Sequence, residues 1–428
     1  MSGSDSGQAR NALENPRVGA PPSEIPVLTG LRGVAALLVF LYHLPWLAGI
    51  KERDSLPYGA WMSGADAGVA LFFCLSAYLL SRPLWEMLLQ ERLGTAHLER
   101  FLLRRAVRIF PAYLLVVAWS LLPDDRTATF WGIVNLFAHL SAVQTFYHQN
   151  FVWMINNVLW TVSIEVLFYV FLAFMFWLAT RLPFLSKGHG GVLLLLFTVV
   201  MIGADPLFRS AIALLAPSLP PPVFGGGDAK SAVYTWNVGY FLKWFLPGIA
   251  AAWISVQTLP APLRNNLRVS QFPVWSSDLA VILLLAPAAV LIATAGEGTW
   301  RSVTLVGWPL NVLIFAALLL VLPSSRLGNF LFGGALVTWL GTVSFGLYLW
   351  HYPILRMIGK SGLFRDLDGW AAVAAFGVVG MLASAAAAAA SWYFLERRAM
   401  LLVGGCNSFG ELASKLGSWE RRSEGARL

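Results

Sequence analysis

The stretch Leu28-Thr29-Gly30-Leu31-Arg32-Gly33-Val34-Ala35-Ala36-Leu37-Leu38-Val39-Phe40-Leu41-Tyr42-His43-Leu44-Pro45-Trp46 reads as a membrane-spanning helix that carries two ionisable side chains. Arg32 and His43 lie eleven positions apart. At about 100° per residue that separation is three turns plus roughly 20°, so both project from one face, about 16 Å apart along the axis. An ionisable group inside a bilayer is costly unless it meets a partner or a wet cavity, so such groups mark sites by default. An arginine snorkelling to the interface beside a histidine satisfied by a neighbouring helix is the plainer reading. Further polar stripes along the chain weigh against it.

Working outward, the same apolar character recurs. The 428 residues are 57% hydrophobic and only 12% charged, against about a quarter charged in a soluble domain. Runs of about 20 apolar residues, each able to cross about 30 Å of hydrocarbon, recur to residue 395. They predict an all-α polytopic membrane protein with ten spans, near 28–50, 66–81, 109–122, 152–180, 191–215, 237–257, 279–296, 303–323, 335–358 and 370–395. Residues 1–27 are polar without an apolar h-region and are expected to be a disordered cytoplasmic tail, followed by a transmembrane domain over 28–398 and a short cytoplasmic tail over 399–428. With both termini inside, 19 basic residues fall on inner segments and 8 on outer loops, as the positive-inside rule requires. Residues 130–147 are apolar but interrupted by Asn135, His139, Ser141 and Gln144, and are expected to be re-entrant or interfacial. The Pro/Gly-rich 217–228 segment reads as an outer loop.

These features exclude several classes of protein. The net charge of +8 is carried by short loops beside spans, a pattern of orientation signals and anionic-lipid contacts that leaves no nucleic-acid surface. Only Cys74 and Cys406 occur, so neither a disulfide framework nor a thiolate metal centre is expected.

Four further constellations carry chemistry. In Arg100-Phe-Leu-Leu-Arg104-Arg105-Ala-Val-Arg108-Ile-Phe-Pro111, guanidiniums recur at helical spacing on an inner segment, where they suit a phosphate-rich cytosolic ligand. Inner loops also collect arginines for topology alone. In Trp160-Thr161-Val-Ser163-Ile-Glu165, a carboxylate enters a span and must be paired or hydrogen-bonded; pairing with Arg32 for structure is one option. Ser344, Tyr348 and His351 follow i, i+4, i+7 spacing and make one polar stripe. Gly68-Val-Ala-Leu-Phe72-Phe73-Cys74-Leu-Ser76-Ala77 suits close packing, with Ser76 as a cavity wall.

Taken together and in order, these stretches resemble the acyltransferase 3 family of integral membrane O-acyltransferases over residues 28 to about 398. The Arg-x10-His element matches Arg32 and His43, the Arg-x-x-Arg element matches Arg105 and Arg108, and the Trp-Ser/Thr-x-x-x-Glu element matches Trp160, Thr161 and Glu165. Ser344, Phe345, Tyr348 and His351 match the pattern near the end, while Ala77 stands where the family usually has glycine. The resemblance implies a stand-alone member, without an appended extracellular esterase-like domain, lying in the cell membrane. It implies a cytoplasmic acyl-CoA co-substrate, with no permanently bound cofactor and no metal. The implied acceptor is a hydroxyl of a carbohydrate, glycolipid or macrolide on the far side. On that basis His43 is expected to act as general base, oriented by Glu165 or by Tyr348 and His351. Arg32 would steer the donor arm or stabilise an oxyanion, and Arg104, Arg105 and Arg108 would hold the CoA phosphates. An acyl-enzyme on Ser76 or His43 is a further route. The rival from another class is a multi-pass transporter or flippase, which also buries Arg, His and Glu near the midplane.

Overall fold

A computed structural model describes residues 25–47, 67–121, 130–142, 156, 158–182, 190–215, 238–258, 273–294, 310–364, 367 and 369–415. The N-terminal tail up to residue 24, the 217–228 segment and the last thirteen residues lie outside the described residues.

Without water in the hydrocarbon, every backbone N–H and C=O must be paired within its own segment, which selects helices for these apolar runs. All described elements are helical. They are α1 (Pro26–Leu47), α2 (Ala67–Leu89), α3 (Thr95–Leu121), α4 (Phe130–Leu140), α5 (Trp160–Arg181), α6 (Gly190–Leu215), α7 (Val238–Leu242) and α8 (Leu246–Thr258). They continue with α9 (Val274–Thr294), α10 (Leu310–Val321), α11 (Arg326–Phe332), α12 (Ala335–Thr342), α13 (Ser344–Ser361), α14 (Gly369–Ser391) and α15 (Arg397–Val403). A 3₁₀ turn, Lys243–Phe245, joins α7 to α8, and a π-helical turn, Trp392–Glu396, joins α14 to α15.

Among the described residues, seven helices are long and apolar enough to cross a membrane, or eight if the bent pair α10–α11 counts as one span. The chain is a polytopic membrane protein, and the difference from ten spans has local causes. The expected third span is the second half of α3, a 27-residue helix whose first half carries the arginines and lowers its apolarity. The expected ninth span is divided into α12 and α13 at Val343. The bend of 103° between α10 and α11 is stapled from α9. Ser325 caps α11 by accepting from the Gly328 N–H (2.8 Å) and donates to Asp278 (2.6 Å), which also accepts from the Leu327 N–H (3.0 Å). The helix α4 has eleven residues and reaches about 16 Å, short of a full crossing; the Tyr113 hydroxyl anchors its end at the His139 carbonyl (2.6 Å).

Burial orders the layers. The spans of α2 and α7–α8 are the most enclosed, while α6 and α9 present rows such as Leu195, Val199, Ile282 and Val290 outward, as lipid-facing helices do. The helix α1 packs on the α11–α12 corner at near-contact distance: a Cβ on Gly30 would overlap the Phe332 carbonyl oxygen of α11, and one on Gly341 of α12 would overlap that of Thr29. With Gly30 and Gly33 turned to this corner, Arg32 is directed into the bundle. The expected C-terminal tail is partly folded, because Val403 and Cys406 pack on Leu103 of α3.

Candidate active site

Four helices converge on one cavity. The Arg32 of α1, Ser76 of α2 and Glu165 of α5 line one end, and Phe72, Thr161 and Tyr348 line it further along. Glu165 accepts from the Ser76 hydroxyl (3.1 Å) and from the Tyr169 hydroxyl one turn on, and these donors offset the desolvation of its carboxylate. Arg32 shares the cavity with Glu165, yet no ion pair joins them among the described residues, so the structural pairing weighed for Glu165 does not form. Arg105 reaches this polar layer from α3, where it interacts electrostatically with Tyr169, Arg32 and Glu165. Its Nε is buried without a hydrogen-bond acceptor. Two guanidiniums facing one carboxylate leave a cationic excess in a low-dielectric setting, which an anionic ligand would neutralise.

The second polar centre is a pair of imidazoles. His351 is buried on α13, and its Nε2 lies 3.2 Å from Nδ1 of His43 on α1. The tautomers follow from their other partners. His351 Nδ1 faces the carbonyl oxygens of Tyr348 (2.7 Å) and Leu347 (3.2 Å), which only accept, so it carries the proton. In the neutral ring His351 Nε2 is then an acceptor, and His43 Nδ1 must be the donor. That nitrogen also lies 2.9 Å from the Val39 carbonyl, which again requires a proton on it. The lone pair of His43 is therefore on Nε2. Tyr42 and Tyr352 meet the His43 ring edge to face, at 5.0 and 5.5 Å, and hold it in place.

Tyr348 stands between the two centres. Its hydroxyl is tied to Thr161 Oγ1 (2.7 Å) and the Val158 carbonyl (3.0 Å), while its ring lines the cavity and lies 5.8 Å from His351.

The family model described as an acyltransferase domain matches residues 25–389, most of the chain. The chain belongs to the acyltransferase 3 family. Peptidoglycan O-acetyltransferase OatA of Listeria monocytogenes serovar 1/2a is 27% identical over 374 residues, 84% of this chain and 54% of that protein. Putative peptidoglycan O-acetyltransferase YrhL of Bacillus subtilis is 27% identical over 352 residues, 77% of this chain and 48% of its own length. O-acetyltransferase OatA of Staphylococcus aureus is 24% identical over 419 residues, 94% of this chain and 61% of the relative. The chain thus spans about half the length of the curated relatives it matches. No solved structure matches.

Within this family domain the structure gathers some of the sequence-predicted residues and disperses others. Arg32, Ser76, Thr161, Glu165 and Tyr348 meet at the cavity, and His43 meets His351. Of the residues expected to orient His43, His351 is the one hydrogen-bonded to it; Glu165 is committed to Ser76 and Tyr169, and the Tyr348 hydroxyl to Thr161 and Val158. Trp160 lies beside aromatic rings, 4.6 Å from Phe241 and 6.5 Å from Phe73. Ser344, at the first turn of α13, is buried with its hydroxyl unpartnered. The three arginines diverge along one turn: Arg104 is exposed, Arg105 points to the cavity layer, and Arg108 pairs with Glu396 (3.6 Å) above the Trp392 ring (4.4 Å).

Sequence reasoning passed over three charged residues. Glu396 is 1% exposed, accepts from Ser391 (3.0 Å) as well as pairing with Arg108, and closes the π-helical turn. Its only signal was a carboxylate at the end of an apolar run. Lys243 pairs with Asp205 (3.5 Å) at the 3₁₀ break, and the charge inside each apolar span was the signal there.

Proposed function

We propose that the protein is a membrane O-acyltransferase that moves an acyl group from acyl-CoA, bound at the arginine-rich end, to a carbohydrate hydroxyl approached from the other end. The observation that carries this reading is the His43–His351 contact, which puts the proton of His43 on Nδ1 and leaves Nε2 to accept one, further along α1 from the cavity that holds Arg32. Arg105 and Arg32 would bind the donor's phosphates and arm. The axial distance of about 16 Å between Arg32 and His43 supports an arm-holding role for Arg32 over an oxyanion role at the imidazole.

In the proposed step His43 Nε2 accepts the acceptor's hydroxyl proton as the oxygen bonds to the thioester carbonyl carbon. The C–S bond then breaks, and the departing CoA thiolate takes the proton from the imidazolium. Direct transfer needs no acyl-enzyme. The relatives' names support acetyl as the acyl group and a peptidoglycan sugar as the acceptor. The test is thiol release from acetyl-CoA by the protein in nanodiscs with a soluble peptidoglycan fragment, followed by mass spectrometry of the fragment. A mass gain of one acetyl group supports the reading, whereas substrate movement without thiol release would replace it with the transporter.

A further inference from the structure

The cavity and the histidine pair are separated by a thin aromatic layer, and the helices' directions show what lies at each depth. Ser76 bonds Glu165 at one level, and Thr161 bonds Tyr348 at the next. Moving from Glu165 to Thr161 is a step of about 6 Å, as is moving from Ser76 to Phe72, at about 1.5 Å per residue. From Tyr348 to His351 is another step of about 4.5 Å by the same rise. Three levels follow in order: Ser76 and Glu165, whose pocket the Arg32 side chain shares; then Phe72, Thr161 and Tyr348; then His351 with His43. At the middle level Phe72 and Tyr348 face each other edge to face, with ring centroids 5.8 Å apart.

We propose that Phe72 and Tyr348 form an acyl-size filter between the Arg32/Glu165 cavity and the His43–His351 pair. The inference rests on the transfer reading above and adds to it the residues that choose the acyl group. A thioester whose phosphates sit at the arginine level must carry its acyl end past these two rings to reach His43 Nε2. Tyr348 is the fixed side, its hydroxyl held by Thr161 and the Val158 carbonyl. Phe72 has no polar group to pin it, so its ring is the side that yields. A two-carbon acyl group needs little displacement of that ring, and each added methylene needs more. One methylene in a tight apolar site changes discrimination roughly 10-fold to 200-fold.

The test measures thiol release and acylated product for acetyl-, propionyl-, butyryl- and hexanoyl-CoA, with the wild-type protein, Phe72→Ala and Phe72→Trp. Phe72→Ala should raise the butyryl-to-acetyl ratio of kcat/KM by about tenfold or more, and Phe72→Trp should lower it. The opposite shifts distinguish a filter from general damage, which would scale all donors alike. Wild-type turnover with the ratio unchanged in both variants overturns the filter alone. Absence of acyl-CoA turnover by the wild-type protein overturns the transfer reading and the filter with it.

Discussion

At the residue scale the proposed chemistry turns on which nitrogen of His43 holds the proton. Two carbonyl oxygens fix the proton on His351 Nδ1, and His351 Nε2 then fixes it on His43 Nδ1. His43→Ala should lower transfer on the order of 10²-fold or more, the usual contribution of a general base, while the purified protein stays folded. His351→Phe keeps an aromatic ring in the site but removes the acceptor facing His43 Nδ1. It is expected to lower kcat with little change in KM for the donor, because in the proposed step His351 orients His43 and takes no part in holding the thioester. Full kcat in His351→Phe would show that the Val39 carbonyl alone sets the tautomer. Since only the neutral imidazole accepts a proton, wild-type activity should fall on the acid side of the pH–rate profile. Spacing alone made Arg32, His43, Tyr348 and His351 legible as residues on polar stripes. The pairing of the two histidines was not legible, since it depends on how α1 and α13 lie against each other.

At the element scale, α3 shows how one basic run serves several ends. Helical spacing identified the run, but burial sorts its members, and burial depends on the neighbours α5 and α15. Arg104 faces solvent, while Arg105 lies under the cavity layer. Exposed charges are screened by salt and buried ones much less. If both arginines assist donor binding, the loss in Arg104→Ala should shrink between low and high salt, while the loss in Arg105→Ala should persist. Equal salt dependence of the two acyl-CoA affinities would contradict this division. The packing of α1 on the α11–α12 corner makes a separate prediction. Gly30→Ala pushes a methyl group into the Phe332 carbonyl and should cost about 1–3 kcal/mol, the usual range for overpacking, seen as a lower unfolding temperature in detergent. The division of residues 335–358 at Val343 was illegible because the apolar composition continues through it. The corner at Ser325 was likewise hidden, because its staple, Asp278, is 47 residues away in sequence.

At the scale of the whole molecule, the contacts fix the relative directions of the helices that build the site. Arg32 shares the cavity with Tyr348, and eleven residues later His43 meets His351, so α1 and α13 run parallel. Ser76 and Glu165 lie at the Arg32 end and Phe72 and Thr161 at the Tyr348 end, so α2 and α5 run against them. The end of α2 and the start of α3 must then emerge on the side opposite the end of α13. Single cysteines at Thr95 and at Ser361, both exposed, should react with a membrane-impermeant maleimide from opposite faces of sealed vesicles. The native Cys74 and Cys406 are buried and would be replaced to remove background. Labelling of both positions from one face would break the opposed directions of α2 and α13 and, with them, the route from the arginine level to His43. A charge count along the sequence predicts sidedness only by summing loops. The labelling checks it at the helices that line the site, because the proposed transfer across the bilayer requires the arginine end and His43 to face opposite sides.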